Sequence, residues 1–428
     1  MASWSNWSGS VSAMPAEIAR PRTVAELAQL VRRARKVRVV GAGHSFMPLC
    51  ETDGTLLSLA DMEGEIELSA GGNRLWAPAG MSLAKLTGKM WEKGVSLGNQ
   101  GDVNPQALAG AIATGTHGTG ATLGSLSTFA RAFRLMTHDG SIVTCSPSER
   151  PELFEAQRLS VGLMGVATQI EVDVLPAYHL EERLEVYPLD EIAERWGDLA
   201  AENRHVEFFV FPYADLAMLK ILHPKPSEGE MREQSDMDDK AFRRVCDICT
   251  AMPFLTSFMQ KRLLPKELKR RRVGPAYRIF PSERTVKFEE MEYELPRANG
   301  WPALREVIAW IRKKRLPVTF PFEFRLVAAD DIWLSPFNGR EGASISMHQY
   351  ARMAWRDLFA EAEKIFRAHD GRPHWAKRHT LTTADLHALY PRAARFCSVR
   401  DSVDPVAKFA NAHLTELFDI HAAATAND

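Results

Sequence analysis

Residues 23–35, TVAELAQLVRRAR, set apolar side chains at helical spacing behind Thr23, and Glu26 three residues on completes the pattern of a capping box. A short helix is predicted there. The β-branched run VRVV at 37–40 stops at Gly41-Ala42-Gly43, which predicts a strand entering a tight glycine turn. LLSL at 56–59, EIEL at 65–68 and RLWAPAG at 74–80 read as further short strands, and SLAKLTGKMWEKG at 82–94 as a helix that ends at Gly94. FRLMTH at 133–138 and SIVTC at 141–145 flank Asp139-Gly140, the signature of a hairpin.

From about residue 180 to 390 the pattern changes. Strands such as HVEFFVFPY and VTFPFEFRLVA alternate with amphipathic helices such as PALREVIAWIRKK and ARMAWRDLFAEAEKIFRAHD, an α+β arrangement. Residues 224–275 form a polar, charge-dense insertion with nearly cancelling signs. Its basic run KELKRRR reads as a solvated helical face, with docking of a partner or membrane surface as the alternative.

The length of 428 residues predicts two to three domains and excludes a single small binding module. A net charge of -1 leaves no electrostatic footprint for nucleic acid or an anionic membrane. Five scattered cysteines do not make a secreted disulfide framework, and the lone Cys246/Cys249 pair reads as incidental thiols. The first nineteen residues lack Lys and Arg, so no signal-peptide n-region is expected. The longest segment free of charged side chains, Val103–Ala130, carries five Gly and five Thr and does not suit a membrane span. The expectation is a cytoplasmic protein with no transmembrane segment, no nucleic-acid partner and no metal.

Two stretches carry candidate chemistry. Gly41-Ala42-Gly43-His44-Ser45-Phe46 follows a predicted strand, but Phe46 replaces the third glycine of a dinucleotide fingerprint, and Pro48-Leu49-Cys50 opens no amphipathic helix. A Rossmann NAD site is therefore disfavoured, whereas a glycine turn whose N–H groups cradle phosphate fits. The second stretch runs through Gly98-Asn99-Gln100-Gly101-Asp102 and on from Leu108 to Gly120. It is dense in Gly, Ala and Thr, residues that let backbone amides and hydroxyls approach a ligand from several sides. It lacks the lysine of a Walker P-loop.

Together these stretches resemble the FAD-binding domain of the vanillyl-alcohol-oxidase superfamily, in particular aldonolactone oxidoreductases and alditol oxidases. Further resemblance lies in Gly162–Val166, Phe322-Glu323-Phe324-Arg325, Trp333-Leu334-Ser335-Pro336, His374-Trp375-Ala376-Lys377, Asp404-Pro405, Phe409 and Asn411. It implies a two-domain α+β flavoprotein with an FAD-binding domain over 1–178, a cap or substrate domain over 179–387 and a segment, 388–428, returning to the flavin. It places the pyrophosphate on Gly41, Ala42, Gly43 and Ser45, and a covalent flavin bond on His44. Gly101, Gly110, Thr114, Gly115, Thr116, His117 and Gly118 embrace the flavin, joined by Val166 and Asn411.

The chemistry of alcohol oxidation needs a hydride acceptor, a group to take the hydroxyl proton and positive charge near the reduced flavin. Glu323 and Arg325 alternate on a predicted strand and so share a face, suiting them to orient a hydroxyl. Lys377 supplies a cation, or a base if desolvated. By resemblance His348 approaches the substrate, with a structural histidine as the alternative. Asp102 stands where alditol oxidases carry a serine that touches the polyol, and Ala376 where they carry glycine. The expected activity is FAD-dependent oxidation of a sugar-derived 1,4-lactone, of L-gulono- or D-arabinono- type. Oxygen is the expected acceptor, because glycine at 101 leaves room beside the flavin. An alditol oxidase acting on xylitol or sorbitol is the runner-up, and a flavin-fold binding protein without turnover would require loss of residues that are all present.

Overall fold

The computed structural model describes residues 3–62, 64–225, 239–263 and 268–421. Its N-terminal part is built on two main sheets, beside two two-stranded ones. One is parallel, with Thr55–Leu57 between Glu17–Ala19 and Val37–Val39. The other is antiparallel, in the order Ile142–Cys145, Ala130–Met136, Val166–Asp173, Arg74–Pro78, Glu67–Leu68. Local signals act as expected. The hydroxyl of Thr23 accepts from the Glu26 N–H at 3.2 Å and caps the helix Val24–Arg33, although the Glu26 carboxylate reaches back to the Arg22 N–H rather than to the cap residue. Ser82 caps Leu83–Glu92, and the chain leaves that helix through Gly94 at φ +73°. At the hairpin, Gly140 takes φ +77°, and a Cβ there would lie 2.9 Å from the Ala28 carbonyl.

The second half is built on an eight-stranded antiparallel sheet in the order Lys269–Pro275, His179–Pro188, Leu216–Lys225, His205–Val210, Phe322–Val327, Gly342–Tyr350, Phe288–Pro296, Arg372–Pro373. Period-two alternation divides its faces. Phe322, Phe324 and Leu326, with Val206, Phe208, Ala343 and Ile345, form a core with Trp196, Leu304, Val307 and Phe366 from the helices Leu189–Glu202, Gly300–Lys314 and Arg356–Ala368. The alternate side chains, among them Glu207, Glu323, Arg325, Ser346 and His348, are buried on the other face. Burying a charged face is costly unless a partner surface supplies ion pairs and hydrogen bonds.

One expectation needs correction. Within KELKRRR, Lys269–Arg272 form no helical face: Lys269–Pro275 is the edge strand of the large sheet, where Arg270 and Arg272 pair with Glu182 and Arg271 with Glu181. Three successive arginines reach carboxylates on the neighbouring strand, so cross-strand pairing outweighs the helical pattern. Within the insertion, residues 226–238 and 264–267 lie outside the described residues, while Asp239–Ala251 is a helix that buries Cys246 and Cys249. Burial pushes the Cys246 thiol up to about 12. Ile332, Leu334, Trp375 and Leu381 share the N-terminal core with Phe396, Leu414 and Phe418. Among the described residues no helix is long and apolar enough to cross a membrane.

Candidate active site

Strand Val37–Val39 delivers the chain into the turn 41–45, which forms one wall of a cleft enclosing about 1640 Å³, partly open to solvent. The turn lies against Ala107: a Cβ on Gly41 would come within 2.9 Å of the Ala107 side chain. Gly43 adopts φ +68°, which favours glycine. Arg38, buried under the turn, donates to the carbonyls of Leu49 at 2.7 Å and Val161 at 2.9 Å, and to Phe409, tying three distant segments together. Gly110, Thr114, Ser160 and Gly162 complete the cleft. The side-chain oxygens of Gln106 and Gln157 are buried here without a hydrogen-bond partner, as expected of a wall built to meet a polar ligand. An elongated cleft of backbone and small side chains with orphaned acceptors fits a dinucleotide such as FAD.

His44 and Gln106 also line a second chamber of about 750 Å³, so the two spaces meet at these residues. The His44 ring stacks on Trp7, with centroids 5.3 Å apart. Burial, helped by the Lys377 charge and opposed by Glu290, lowers the His44 imidazole to about 4, so it is neutral at ordinary pH.

The charged face of the large sheet roofs this chamber in two clusters. In the first, Lys220 lies 2.8 Å from Glu207 and 3.2 Å from Asp102. Arg325 lies 2.8 Å from Glu207 and 3.5 Å from Asp102, and pairs with Glu323. Arg284 joins Asp102 at 3.1 Å and Glu323 at 3.4 Å. Burial would raise the Asp102 carboxyl, but Lys220, Arg325 and Arg284 overcome this and hold it well below the usual carboxylate range. Asp102 therefore stands among three paired cations.

In the second cluster, Lys377 pairs with Glu290. The Glu290 carboxyl, against its burial, is drawn down to about 2 by Lys377 and His348. His348 presents Nδ1 to the Pro321 carbonyl at 3.2 Å and Nε2 to Glu290 at 3.3 Å. Deeper in, His117 donates from Nδ1 to the Gly118 carbonyl at 2.9 Å, and its Nε2 meets Glu292 at 2.8 Å and Glu294 at 3.2 Å. Despite burial, Glu294 and Glu292 raise its imidazole to about 10. His117, Glu292 and His374 are grouped closely enough to hold a metal ion.

Among the expected residues, Gly41, Ala42, Gly43, His44, Ser45, Gly110 and Thr114 line the cleft, and Gly101, Asp102, Thr116, His117, Glu323, Arg325, His348 and Lys377 line the chamber. The others act at one remove. Gly115 takes φ +75°, and Gly118 lets the chain pass Gln100, whose carbonyl a Cβ would approach to 2.2 Å. Val166 lies in the core between the cleft residues Gly165 and Ala167. Asn411 caps Ala412–Leu417 and donates to the carbonyls of Pro48 at 2.7 Å and Glu51 at 2.9 Å, steadying the loop after the glycine turn without lining the cleft. Sequence reasoning missed Glu290, Glu292 and Glu294, although their alternation with Met291, Tyr293 and Leu295 marks a strand with an inward polar face. It also missed Glu207, Lys220 and Arg284, for which a single sequence offers no comparable signal.

Residues 15–146 match the sequence profile of an FAD-binding domain, and residues 170–417 that of D-arabinono-1,4-lactone oxidase. An L-gulono-1,4-lactone dehydrogenase of Mycobacterium tuberculosis is 36% identical over 95% of this chain and 97% of its own. An L-gulonolactone oxidase of Bos taurus is 28% identical over 96% and 97%, and an alditol oxidase of a Streptomyces species 30% identical over 97% and 98%. A crystal structure of cholesterol oxidase from B. sterolicum superimposes with a TM-score of 0.81 over 97% of this chain and 96% of that one, at 16% identity, a likeness of fold.

Proposed function

The chain belongs to the D-arabinono-1,4-lactone oxidase family, and on that premise we propose that it oxidises the hydroxyl beside the carbonyl of a sugar-derived 1,4-lactone, of L-gulono- or D-arabinono- type, with FAD as cofactor. The observation that carries this reading is the chamber of paired cations and carboxylates that meets the dinucleotide-shaped cleft at His44 and Gln106.

Bound FAD supplies the acceptor for the hydride lost by the substrate carbon. The protein supplies the rest. The turn 41–45 and the segment 107–114 hold the dinucleotide. His348, its Nδ1 directed to the Pro321 carbonyl and its Nε2 to the Glu290 carboxylate, forms with Glu290 the pair that takes up the hydroxyl proton. Lys377 and Arg325 place positive charge where the oxygen becomes negative as its proton leaves. Asp102, Glu207 and Glu323 balance Lys220, Arg284 and Arg325, so the cations stay fixed in a buried site.

A lactone carbonyl acidifies its neighbouring hydroxyl, an advantage that an open-chain alditol lacks. kcat/KM for L-gulono-1,4-lactone should exceed that for xylitol or sorbitol by at least about tenfold, or ~1.4 kcal/mol of transition-state preference. Steady-state kinetics decides it, and equal or better turnover of the alditols would transfer the assignment to alditol oxidation.

Covalent attachment of the flavin through His44 is part of the same proposal. It is supported by the neutral imidazole at the junction of cleft and chamber. Acid-precipitated protein should stay yellow, whereas His44→Ala should release its flavin on denaturation; colour retained in the mutant pellet would rule the linkage out.

Oxygen as electron acceptor is proposed from Gly101, which lines the chamber without a side chain. Lactone turnover in air should yield hydrogen peroxide in proportion to substrate consumed. Turnover that requires an added dye and makes no peroxide would make the enzyme a dehydrogenase.

A further inference from the structure

Beyond the reaction chamber lies a side chamber of about 1080 Å³ that none of the roles above requires. The two spaces share Asp102, Arg284, Phe288, Glu323 and His348, all of them on the substrate side. No cofactor-side residue of the reaction chamber, such as His44, Gly101 or Gln106, reaches the side chamber. Its walls are the same sheet face, continued along the strands. Glu323 stands opposite Phe209 in the register, and Phe209 opposite Met218. Two residues along from Glu207, about 7 Å away, the strand presents Phe209 to this space, and apolar side chains stand there beside the charged wall residues Glu182, Lys220, Arg270 and Arg272. Leu184, Phe211, Phe242 and Phe320 extend the apolar part, with Phe242 edge-on to Phe320 at 4.8 Å. Leu184, Phe209 and Phe242 are only half-buried although they face an interior space. Apolar surface left wet inside a cavity that opens into an active site gains free energy from an apolar ligand group. Arg284 stands between the compartments, bonded to Asp102 and Glu323.

Resting on the lactone reading of the reaction chamber, we infer that the substrate carries an apolar alkyl or aryl substituent at its end remote from the oxidised carbon, and that the side chamber binds this substituent. Because the wall shared with the reaction chamber consists of substrate-side residues alone, the occupant is part of the substrate rather than a separate electron acceptor. The reaction is unchanged, since hydride and proton leave from the same carbon and hydroxyl.

The probe is the benzyl ether of the terminal hydroxyl of L-gulono-1,4-lactone, compared with the parent lactone on the holoenzyme. kcat/KM should be about tenfold higher or more for the ether, as expected for burying a ring-sized apolar group. Leu184→Trp, which fills the side chamber, should reduce that advantage to less than about twofold while leaving kcat/KM for the parent within about twofold. Phe242→Ser, on a separate helix, should also diminish it. An ether no better than the parent in the wild-type enzyme, or variants that weaken both substrates equally, would overturn the inference while parent turnover leaves the lactone reading standing. Flavin that neither compound reduces would overturn the lactone reading and this inference with it.

Discussion

Replacing Arg325 with methionine should lower kcat/KM for the lactone by about 10³ or more and lower the unfolding free energy by about 3–5 kcal/mol. Arg325 is buried and meets Glu207, Glu323 and Asp102 at once. Without it, these carboxylates are left to Lys220 and Arg284, and an uncompensated buried anion costs far more than the lost attraction of a surface pair. The same guanidinium places charge beside the reacting oxygen, so activity should fall by more than destabilisation explains. Arg325→Lys retains the charge but not the planar fork that spans several carboxylates, and should recover only part of either loss. Denaturant midpoints with lactone kinetics provide the check. Wild-type stability combined with less than a tenfold loss of kcat/KM in the methionine variant would show that Arg325 is a dispensable ion pair.

His348→Gln should lower kcat by about 10²–10⁴, the range for removing a general base. The split between kcat and KM separates this role from a structural one: kcat should fall while KM for the lactone stays within about threefold of wild type and the denaturant midpoint is unchanged. A loss confined to KM or to stability would leave His348 a structural histidine.

Much of the local structure was legible because its causes are local. A capping threonine, β-branched runs ending at glycine and an Asp-Gly hairpin act over a few residues, and the described helices and strands follow them. The glycine turn at 41–45 and the small-residue stretch around 110–118 announced a ligand cradle for the same reason, since backbone that must approach a ligand closely excludes bulk. The pairing of Glu323 with Arg325 was legible from the period of a strand alone. The basic run at 269–272 misled, because its geometry depends on Glu181 and Glu182, about ninety positions earlier in the chain.

By itself the sequence determined the α+β class, the flavin-type cradle and the presence of His44, Glu323, Arg325, His348 and Lys377. Only the tertiary structure decided which charges surround those groups. Folding brought Lys220, Arg284 and Arg325 to Asp102 from strands and a loop more than a hundred residues away. It brought Glu290, on the strand Phe288–Pro296, to Lys377. The protonation and role of a buried group depend on its burial and on which charges surround it, and both are properties of chain segments meeting in space rather than of any one segment's composition.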